Sequence, residues 1–324
     1  MVANAPELNL RGHSLNLLDN YLVIGASIYG SGEWWHHSLR AARGGLLANP
    51  WEHTNTTGND APIGHISFVY KNNLVMLGGE KNTQVMIETG KEREGQWKTK
   101  SLRLVTWPNR DHFDFSFKDA CVVKMAMDTF FVAGGRNTSN NEIRSTVLHI
   151  NMTAQTVQEA GSLLYPRTQH ACAIIPNPSN NKKKRILITG GYSHSNLATD
   201  EIFDPENGRS TRLGNTMEIP RLNHQMVNIG QKVFALGGQR QPDDNSRLDV
   251  IEVFDVISNT WSVHSSSLLS ASTDGIAVTE LPRSAVFCGQ GCQCGVRSKT
   301  RIIGGELTEV NYQMIVIDRW FSSR

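Results

Sequence analysis

Residues 233–238 read VFALGG, a short apolar run that ends in two glycines. The same pattern stands at residues 74–79 (LVMLGG), 130–135 (FFVAGG) and 186–191 (ILITGG). With two degenerate copies, the series marks glycines 25, 78, 134, 190, 237 and 289, at intervals of 47 to 56 residues. Self-similarity at such a period indicates a repeat architecture. The sequence therefore predicts six successive copies of one structural unit.

The flanks of the glycine pairs repeat as well. An apolar run that opens near a histidine, such as His170 or His224, precedes the run that leads into the glycines. A third run ends in an apolar, an aromatic and an acidic residue, as in 253–255, and a fourth carries Trp261. Alternating apolar residues with Asn, Asp, Gly and Ser between the runs are typical of antiparallel strands joined by turns. Each unit is therefore predicted to be a four-stranded sheet, and almost no helix is expected.

These marks resemble the kelch repeat, in which a strand ends in Gly-Gly and is followed by an aromatic residue and then a tryptophan. The fifth unit carries all of them in Gly237, Gly238, Phe254 and Trp261. The resemblance covers about residues 8–289 and implies an all-β, kelch-type β-propeller of six blades, with the last blade incomplete or closed by a terminal strand.

Closure of the ring is predicted to use both ends of the chain. An open sheet edge exposes unpaired backbone groups, so a propeller commonly completes its last blade with a strand from elsewhere. Residues 274–278 and 284–288 supply two runs for the sixth unit. We expect Leu8–Leu10 to pair with this blade and the strand-like run at 312–318 to supply a further strand.

Recurring small and polar residues are expected to be structural. A glycine tolerates a positive φ or a close approach to a neighbouring blade at low cost. Histidines that recur at one strand position, such as His65, His170 and His224, are expected to make hydrogen bonds between blades rather than to bind a metal. Cys121 and Cys172 stand at what look like matching places and are predicted to be buried thiols, since a disulfide needs Cα atoms within about 7 Å.

The C-terminal residues depart from the repeat. CQCG at 292–295 and RIIGGE at 301–306 resemble the activation junction of trypsin-like serine proteases. By that resemblance Arg301 is the cleaved residue, Ile302 is the new N-terminus, and residues 290–324 are a truncated start of a protease domain. No His or Cys follows Cys294, so a Ser-His-Asp triad is not assembled here and peptidase activity is not expected. A fusion, a truncation and a faulty gene model all remain open.

Charge and hydropathy narrow the classes of partner. The chain has 32 Lys and Arg against 30 Asp and Glu, a balance that argues against nucleic acid or an anionic membrane as main partner. No apolar run approaches the roughly 20 residues of a membrane-spanning helix. No secretory signal is visible, which favours the cytoplasm, or an extracellular protein if the N-terminus is missing.

Three functions compete on this evidence. We favour a non-catalytic protein-interaction module that presents loops on one face of the ring, with no metal or cofactor and as a monomer. One alternative is the N-terminal part of a protease zymogen whose catalytic residues are absent from this chain. The other is a propeller oxidoreductase, which is disfavoured because the six tyrosines form no ligand-like constellation.

Binding residues are expected in two kinds of loop, which the resemblance places on one face. Loops that lead into innermost strands offer Arg167, Gln169, Arg221 and Asn223, and loops after the glycines offer Arg136, Tyr192, Gln239 and Arg240. Their mixture of Arg, Gln and Asn suits an acidic or polar peptide segment, because Arg can form two parallel hydrogen bonds to a carboxylate.

Overall fold

The structure of the protein is a computed structural model, in which the chain forms strands and turns. It describes residues 62–81, 83–88, 96–177, 180–196, 199–240 and 248–264, together with strands at 11–18, 21–28, 31–38, 51–53, 55–56, 277–281, 300–305 and 312–317. None of these residues is helical, and so none belongs to a helix that could cross a membrane. The expectation of an all-β chain is confirmed.

The strands fall into six groups along the chain, which we number blades 1 to 6; the outer strands of blades 3 and 4 also pair with each other. Blade 1 contains β1 (Arg11–Leu18), β2 (Tyr21–Ile28), β3 (Ser31–Ser38) and β4 (Trp51–His53). The short β5 (Asn55–Thr56) joins blade 2, which contains β6 (His65–Tyr70), β7 (Asn73–Gly78), β8 (Thr83–Glu88) and β9 (Gln96–Ser101). Before blade 3, β10 (Val105–Thr106) runs along its outer edge.

Blades 3 and 4 each add a short pairing in their loops. Blade 3 has β11 (Phe117–Lys118), β12 (Cys121–Lys124), β13 (Thr129–Ala133), β14 (Arg136–Asn137), β15 (Thr146–Asn151) and β16 (Thr156–Ser162), with β11 paired to β14. Blade 4 has β17 (Ala171–Asn177), β18 (Asn180–Thr189), β19 (Tyr192–Ser193), β20 (Ser195–Asn196), β21 (Glu201–Asp204) and β22 (Arg209–Arg212), with β19 paired to β20.

Blades 5 and 6 complete the series. Blade 5 has β23 (Gln225–Ile229), β24 (Lys232–Leu236), β25 (Ile251–Asp255) and β26 (Thr260–Val263). Blade 6 has β27 (Ala277–Leu281), β28 (Thr300–Gly305) and β29 (Tyr312–Ile317). The innermost strands β1, β6, β12, β17, β23 and β27 each contact the next one in this order, and β27 contacts β1. The six-bladed, kelch-type propeller is therefore confirmed as a closed ring of blades.

The sixth blade is completed from the C-terminal residues, as predicted for the run that begins at Tyr312. Strand β29 lies between β27 and β28 and is antiparallel to both. Arg301 and Ile302 lie within β28, opposite Val316 and Ile315. Cleavage after Arg301 stays a prediction, and residues 8–10 and 284–288 lie outside the described part of the chain.

The core lies in the spaces between neighbouring blades. Side chains of a strand alternate between its two faces, so one strand serves two interfaces. In β18, Ile186 and Ile188 pack toward Phe131 of blade 3, whereas Leu187 packs in a separate cluster with Phe254 of blade 5. This alternation explains why the strands that lead into the glycine pairs, such as β13 and β18, read as continuous apolar runs: both of their faces are buried.

The glycine pairs mark the closest approach of neighbouring blades. Gly134 has φ +63°, and a Cβ at this residue would lie 2.5 Å from the carbonyl oxygen of Arg167 in blade 4. Gly135 donates its backbone N–H to the same oxygen at 2.8 Å. The predicted reason for the glycines, a positive φ next to another blade, is therefore confirmed.

The prediction of two separate thiols was wrong, because Cys121 and Cys172 form a disulfide with Cα atoms 5.9 Å apart. Their positions do not match: Cys121 lies opposite Ala133, just before Gly134, whereas Ala171 lies opposite Thr189, just before Gly190. Cys172 thus stands one residue further along its strand. Since consecutive side chains point to opposite faces, Cys121 points toward blade 4 and Cys172 points back toward blade 3.

Candidate functional site

In blades 3, 4 and 5, two loops meet at the end of the ring where the innermost strands begin, which we call the Gly-Gly face. The segment that leads into the innermost strand pairs with the residues that follow the glycines. In blade 3 this pairing joins residues 117–118 to 136–137, in blade 4 it joins Thr168 to Tyr192, and in blade 5 Leu222 to Gln239. The two loop types chosen from the sequence therefore adjoin within each of these three blades.

Backbone hydrogen bonds link the blades around this face. The N–H of Asp119 donates to the carbonyl of Gly64 (2.9 Å), that of Gln169 to Asp119 (2.9 Å), and that of Asn223 to Gln169 (2.8 Å). All four residues have φ between +55° and +71°. Gln169 and Asn223, both predicted to bind a partner, are half-buried and hold neighbouring blades together through their backbones.

Arg167 is buried inside blade 4, which corrects its predicted place on an exposed surface. Its guanidinium donates to the carbonyl oxygens of Gly190 (2.8 Å) and Thr199 (3.0 Å) and to the carboxylate of Glu201 (2.5 Å). The other oxygen of Glu201 accepts the N–H of Leu164 at 2.7 Å. Burial lowers the pKa of Arg167, and the Glu201 charge opposes that shift.

Arg221 repeats this arrangement in blade 5 and requires the same correction. It donates to the carbonyl oxygens of Gly237 (2.9 Å) and Val250 (3.0 Å) and forms an ion pair with Glu252. A buried ion pair is tolerated when further hydrogen bonds stabilise both partners, and here Arg221 also bonds two carbonyl oxygens while Glu252 also accepts the N–H of Glu218. Glu201 and Glu252 were missed from the sequence, although EIFD at 201–204 and EVFD at 252–255 carried the signal.

The recurring histidines are buried and neutral. Burial lowers the pKa of His65 to about 4 and that of His170 to about 3, the latter with help from the Arg167 charge. His224 contacts the hydroxyl of Thr189 in blade 4 at 2.9 Å, which is the predicted bond between blades. His65 instead bonds the carbonyl of Pro62 in its own blade, at 2.7 Å.

A buried acid lies beside these pairs. Asp200 is buried, and its Oδ2 accepts the N–H of Met217 at 2.9 Å. Burial raises the pKa of Asp200 from 3.8 to about 7, while hydrogen bonding and the charge of Arg167 oppose the shift. Nothing in the sequence pattern distinguished Asp200 from surface acids, because its burial comes from contacts made only in the folded chain, such as that with Met217.

A groove of about 430 Å³ opens on the Gly-Gly face between blades 3 and 4. Its lining combines one cation, one acid, polar groups and apolar side chains: Arg136, Asn141, Glu142, Ile143, Pro166, Tyr192 and His194. Two of the eight predicted binding residues, Arg136 and Tyr192, lie in it. The other five residues that line the groove were missed from the sequence, because only the packing of blades 3 and 4 brings these loops together.

The remaining predicted residues divide by burial. Gln239 is buried at its pairing with Leu222, whereas Arg240 is exposed at the edge of the described part of blade 5. Among the described residues, no group of three or more His, Cys, Asp or Glu side chains is arranged to hold a metal ion. Of the eight predicted residues, three are buried, one is exposed and four are half-buried: Arg167, Arg221 and Gln239 are buried, Arg240 is exposed, and Arg136, Gln169, Tyr192 and Asn223 are half-buried.

Comparisons with known proteins agree with the fold. Residues 220–264, which end the approach to blade 5 and span that blade, match the family model described as Kelch motif. Kelch-like protein 7 of Rattus norvegicus and of Mus musculus are each 36% identical over 67 residues. That match covers 21% of this chain and 11% of each relative. The motif and the closed ring of sheets together identify a kelch-type propeller.

Proposed function

We propose that this chain is a non-catalytic protein-interaction module and that the groove between blades 3 and 4 binds a short extended segment of a partner protein. The kelch motif and the similarity to Kelch-like protein 7 support an interaction propeller. The observation that carries the proposal is Arg136, a half-buried cation in the groove that has no ion pair or side-chain hydrogen bond to another described residue.

An acidic side chain is the partner group that suits Arg136. A partly desolvated guanidinium gains most from a carboxylate, which it can bind through two parallel hydrogen bonds. Glu142 also lines the groove, but the amide of Asn140 already donates to its carboxylate at 3.3 Å. The groove therefore offers one cation to an incoming acid, and Glu142 disfavours a second acid beside it.

The apolar lining supplies the rest of the contact area. Ile143, Pro166 and Tyr192 line the groove, and Leu164 and Tyr165 are exposed directly before Pro166. Tyr and Arg are the residue types that dominate binding energy at protein interfaces. We therefore infer a peptide that carries an apolar side chain next to its acid.

One wall of the groove is ordered before any partner arrives. The Asn137 side chain accepts the N–H groups of Ser139 (2.8 Å) and Asn140 (3.2 Å), and the Asn140 side chain accepts the N–H of Glu142 (3.0 Å). A loop held by its own side chains loses little entropy on binding. This favours a specific peptide site over a non-specific apolar patch.

The test is a library of short fluorescent peptides with one Asp near a Leu or Tyr, each paired with an Asn-substituted counterpart. We expect binding in fluorescence polarisation that weakens about tenfold, or about 1.4 kcal/mol, for the Asn counterpart and for Arg136→Gln. The matched control is Lys71→Gln, which removes a cation from the β6–β7 turn at the opposite end of the ring. Binding of no peptide, or equal binding by Arg136→Gln, contradicts the proposal.

A further inference from the structure

We propose that the Cys121–Cys172 disulfide is a redox-controlled link that holds the two walls of the groove in place. The bond joins the innermost strands of blades 3 and 4, the blades that form the groove. It spans 51 residues of sequence, so it constrains two blades and not a local turn. This inference concerns regulation of the groove and rests on the function proposed for it.

Backbone hydrogen bonds between blades 3 and 4 connect the residues next to the disulfide with the residues next to the groove. Asp119, two residues before Cys121, accepts the N–H of Gln169 at 2.9 Å, and Gln169 lies three residues before Cys172. The carbonyl of Arg167 accepts the N–H of Gly135 at 2.8 Å, and Gly135 directly precedes Arg136. The segment before Cys172 is thus bonded to the chain on both sides of the groove.

The segment 166–170 is also bonded to residues on both sides of the groove. The N–H of Arg167 donates to the carbonyl of Arg144, next to Ile143, at 3.1 Å. Thr168 and Tyr192 exchange two backbone hydrogen bonds, at 3.0 and 2.8 Å. Pro166, Ile143 and Tyr192 all line the groove. A shift of the segment 166–170 relative to blade 3 therefore changes the width of the groove.

The remaining interface between the two blades permits such a shift when the bond opens. Beyond the disulfide, Cys121 and Cys172 are packed with apolar side chains such as Val123, Ile174 and Ile188. Apolar packing is non-directional, whereas a disulfide sets one separation of the two strands. Loss of the bond leaves hydrogen bonds and packing as the links at this level of the ring.

The chemistry is reversible thiol–disulfide exchange. Cys172 is half-buried, which gives a small thiol access to the bond. A thiolate of a dithiol reductant attacks one sulfur, and its second thiol then releases the protein, so that the reductant closes to a cyclic disulfide. Two electrons and two protons pass to the protein, which gains two thiols. Oxidised glutathione restores the bond: one protein thiolate attacks it and releases one glutathione, and the second protein thiolate displaces the other glutathione from the mixed disulfide.

The experiment uses the full chain with Cys288, Cys292 and Cys294 changed to Ser, so that Cys121 and Cys172 are the two cysteines that remain of five. Intact mass after maleimide labelling in denaturant reports the bond in oxidised glutathione and after dithiothreitol. Hydrogen–deuterium exchange then reports the groove loops 136–143 and 192–196, with blade 5 strands 251–255 and 260–263 as internal control. Cys121→Ser with Cys172→Ser in the same background mimics the reduced state.

We expect the oxidised protein to resist labelling and the groove loops to exchange about tenfold faster after reduction, with blade 5 unchanged. The doubly substituted variant should exchange fast in both buffers. Labelling of both thiols after oxidation, or a bond whose reduction leaves groove exchange unchanged, overturns the inference. Hydrogen–deuterium exchange is measured without peptide, so its outcome does not depend on peptide binding. If peptide binding does not depend on Arg136, the proposed function is refuted, and the exchange result still tests the inference about the disulfide.

Discussion

Blades 3 and 4 make the same backbone hydrogen bond to the preceding blade but place different side chains beside it. In blade 4 the carbonyl of Arg167 accepts the N–H of the preceding blade's second glycine, Gly135, and in blade 3 Phe117 does the same for Gly79. The equivalence extends to the strand that leads into each blade's own glycine pair. In that strand, the residue two positions before the first glycine lies opposite Glu201 in blade 4 and opposite Leu148 in blade 3. A buried Arg–Glu pair thus occupies the place of a Phe and a Leu.

The difference shows that the backbone, not the side-chain chemistry, is common to the blades. Phe117 and Leu148 belong to one apolar cluster, whereas Arg167 and Glu201 bond to each other and to backbone carbonyl and N–H groups. An apolar pair needs no partners, while an ion pair is stable only when both charges remain. Blade 4 should therefore be more sensitive than blade 3 to the loss of one member.

The largest effect is expected from Glu201→Gln. It leaves the Arg167 guanidinium buried without its counter-charge, which costs about 3–5 kcal/mol in the free energy of unfolding. The double change Arg167→Phe with Glu201→Leu copies blade 3 and should recover much of that loss. Urea unfolding measures both variants, and a double variant less stable than Glu201→Gln would refute the equivalence of the two blades.

A smaller effect is expected at the glycines that adjoin these residues. A Cβ on Gly78 would lie 2.5 Å from the Phe117 carbonyl oxygen, and one on Gly134 equally far from that of Arg167, both at positive φ. Gly78→Ala and Gly134→Ala should therefore destabilise similarly, by about 2 kcal/mol, whichever chemistry follows.

The matched control for the glycines is Gly214→Ala, because a Cβ there would meet nothing within 4 Å. We expect a change within about 0.5 kcal/mol in thermal or urea unfolding. Unequal losses at Gly78 and Gly134 would show that side chains, rather than the shared backbone approach, set the spacing of these blades.

The last prediction is a pH dependence that arises from Asp200 in blade 4. Because the pKa of Asp200 is raised to about 7, the folded chain holds this proton more tightly than the unfolded chain does. Its contribution is complete below pH 3.8 and is lost as the pH rises through 7. Asp200→Asn should therefore stabilise the protein relative to wild type at pH 8 more than at pH 5.

Melting temperatures of wild type and Asp200→Asn across this pH window provide the measurement. His65 and His170, with lowered pKa values, contribute stability that is lost as the pH falls below 6.5, in both proteins alike. Their effect therefore cancels in the difference between the two. A difference that does not change with pH would mean that Asp200 is ionised throughout.

Local signals in the sequence were sufficient for the architecture. Gly134 and Gly135 mark a strand end because a positive φ beside another backbone requires glycine, whatever surrounds it. The interval between such pairs then counts the blades. The run at 312–317 was recognisable as a strand from its composition, and the need for a closed ring pointed to blade 6.

The site depended on contacts that no single repeat contains. Arg136 and Tyr192 could be chosen from the loops that carry them, but Ile143 and Pro166 join them only because blades 3 and 4 pack together. Arg167 looked like a surface ligand because its loop lies on the Gly-Gly face, while its carboxylate partner, Glu201, stands 34 residues away.

The repeat, the strand content and the number of blades could be read from the sequence, since these follow from backbone conformation and strand alternation within each unit. Which side chains meet depends on how the blades pack against one another. Cys121 and Cys172 looked equivalent in the sequence, yet a shift of one residue turns their side chains to facing sides of neighbouring blades. A shift of one residue along a strand moves a side chain to the opposite face of the sheet. Such a shift leaves the composition unchanged but determines which side chains come into contact.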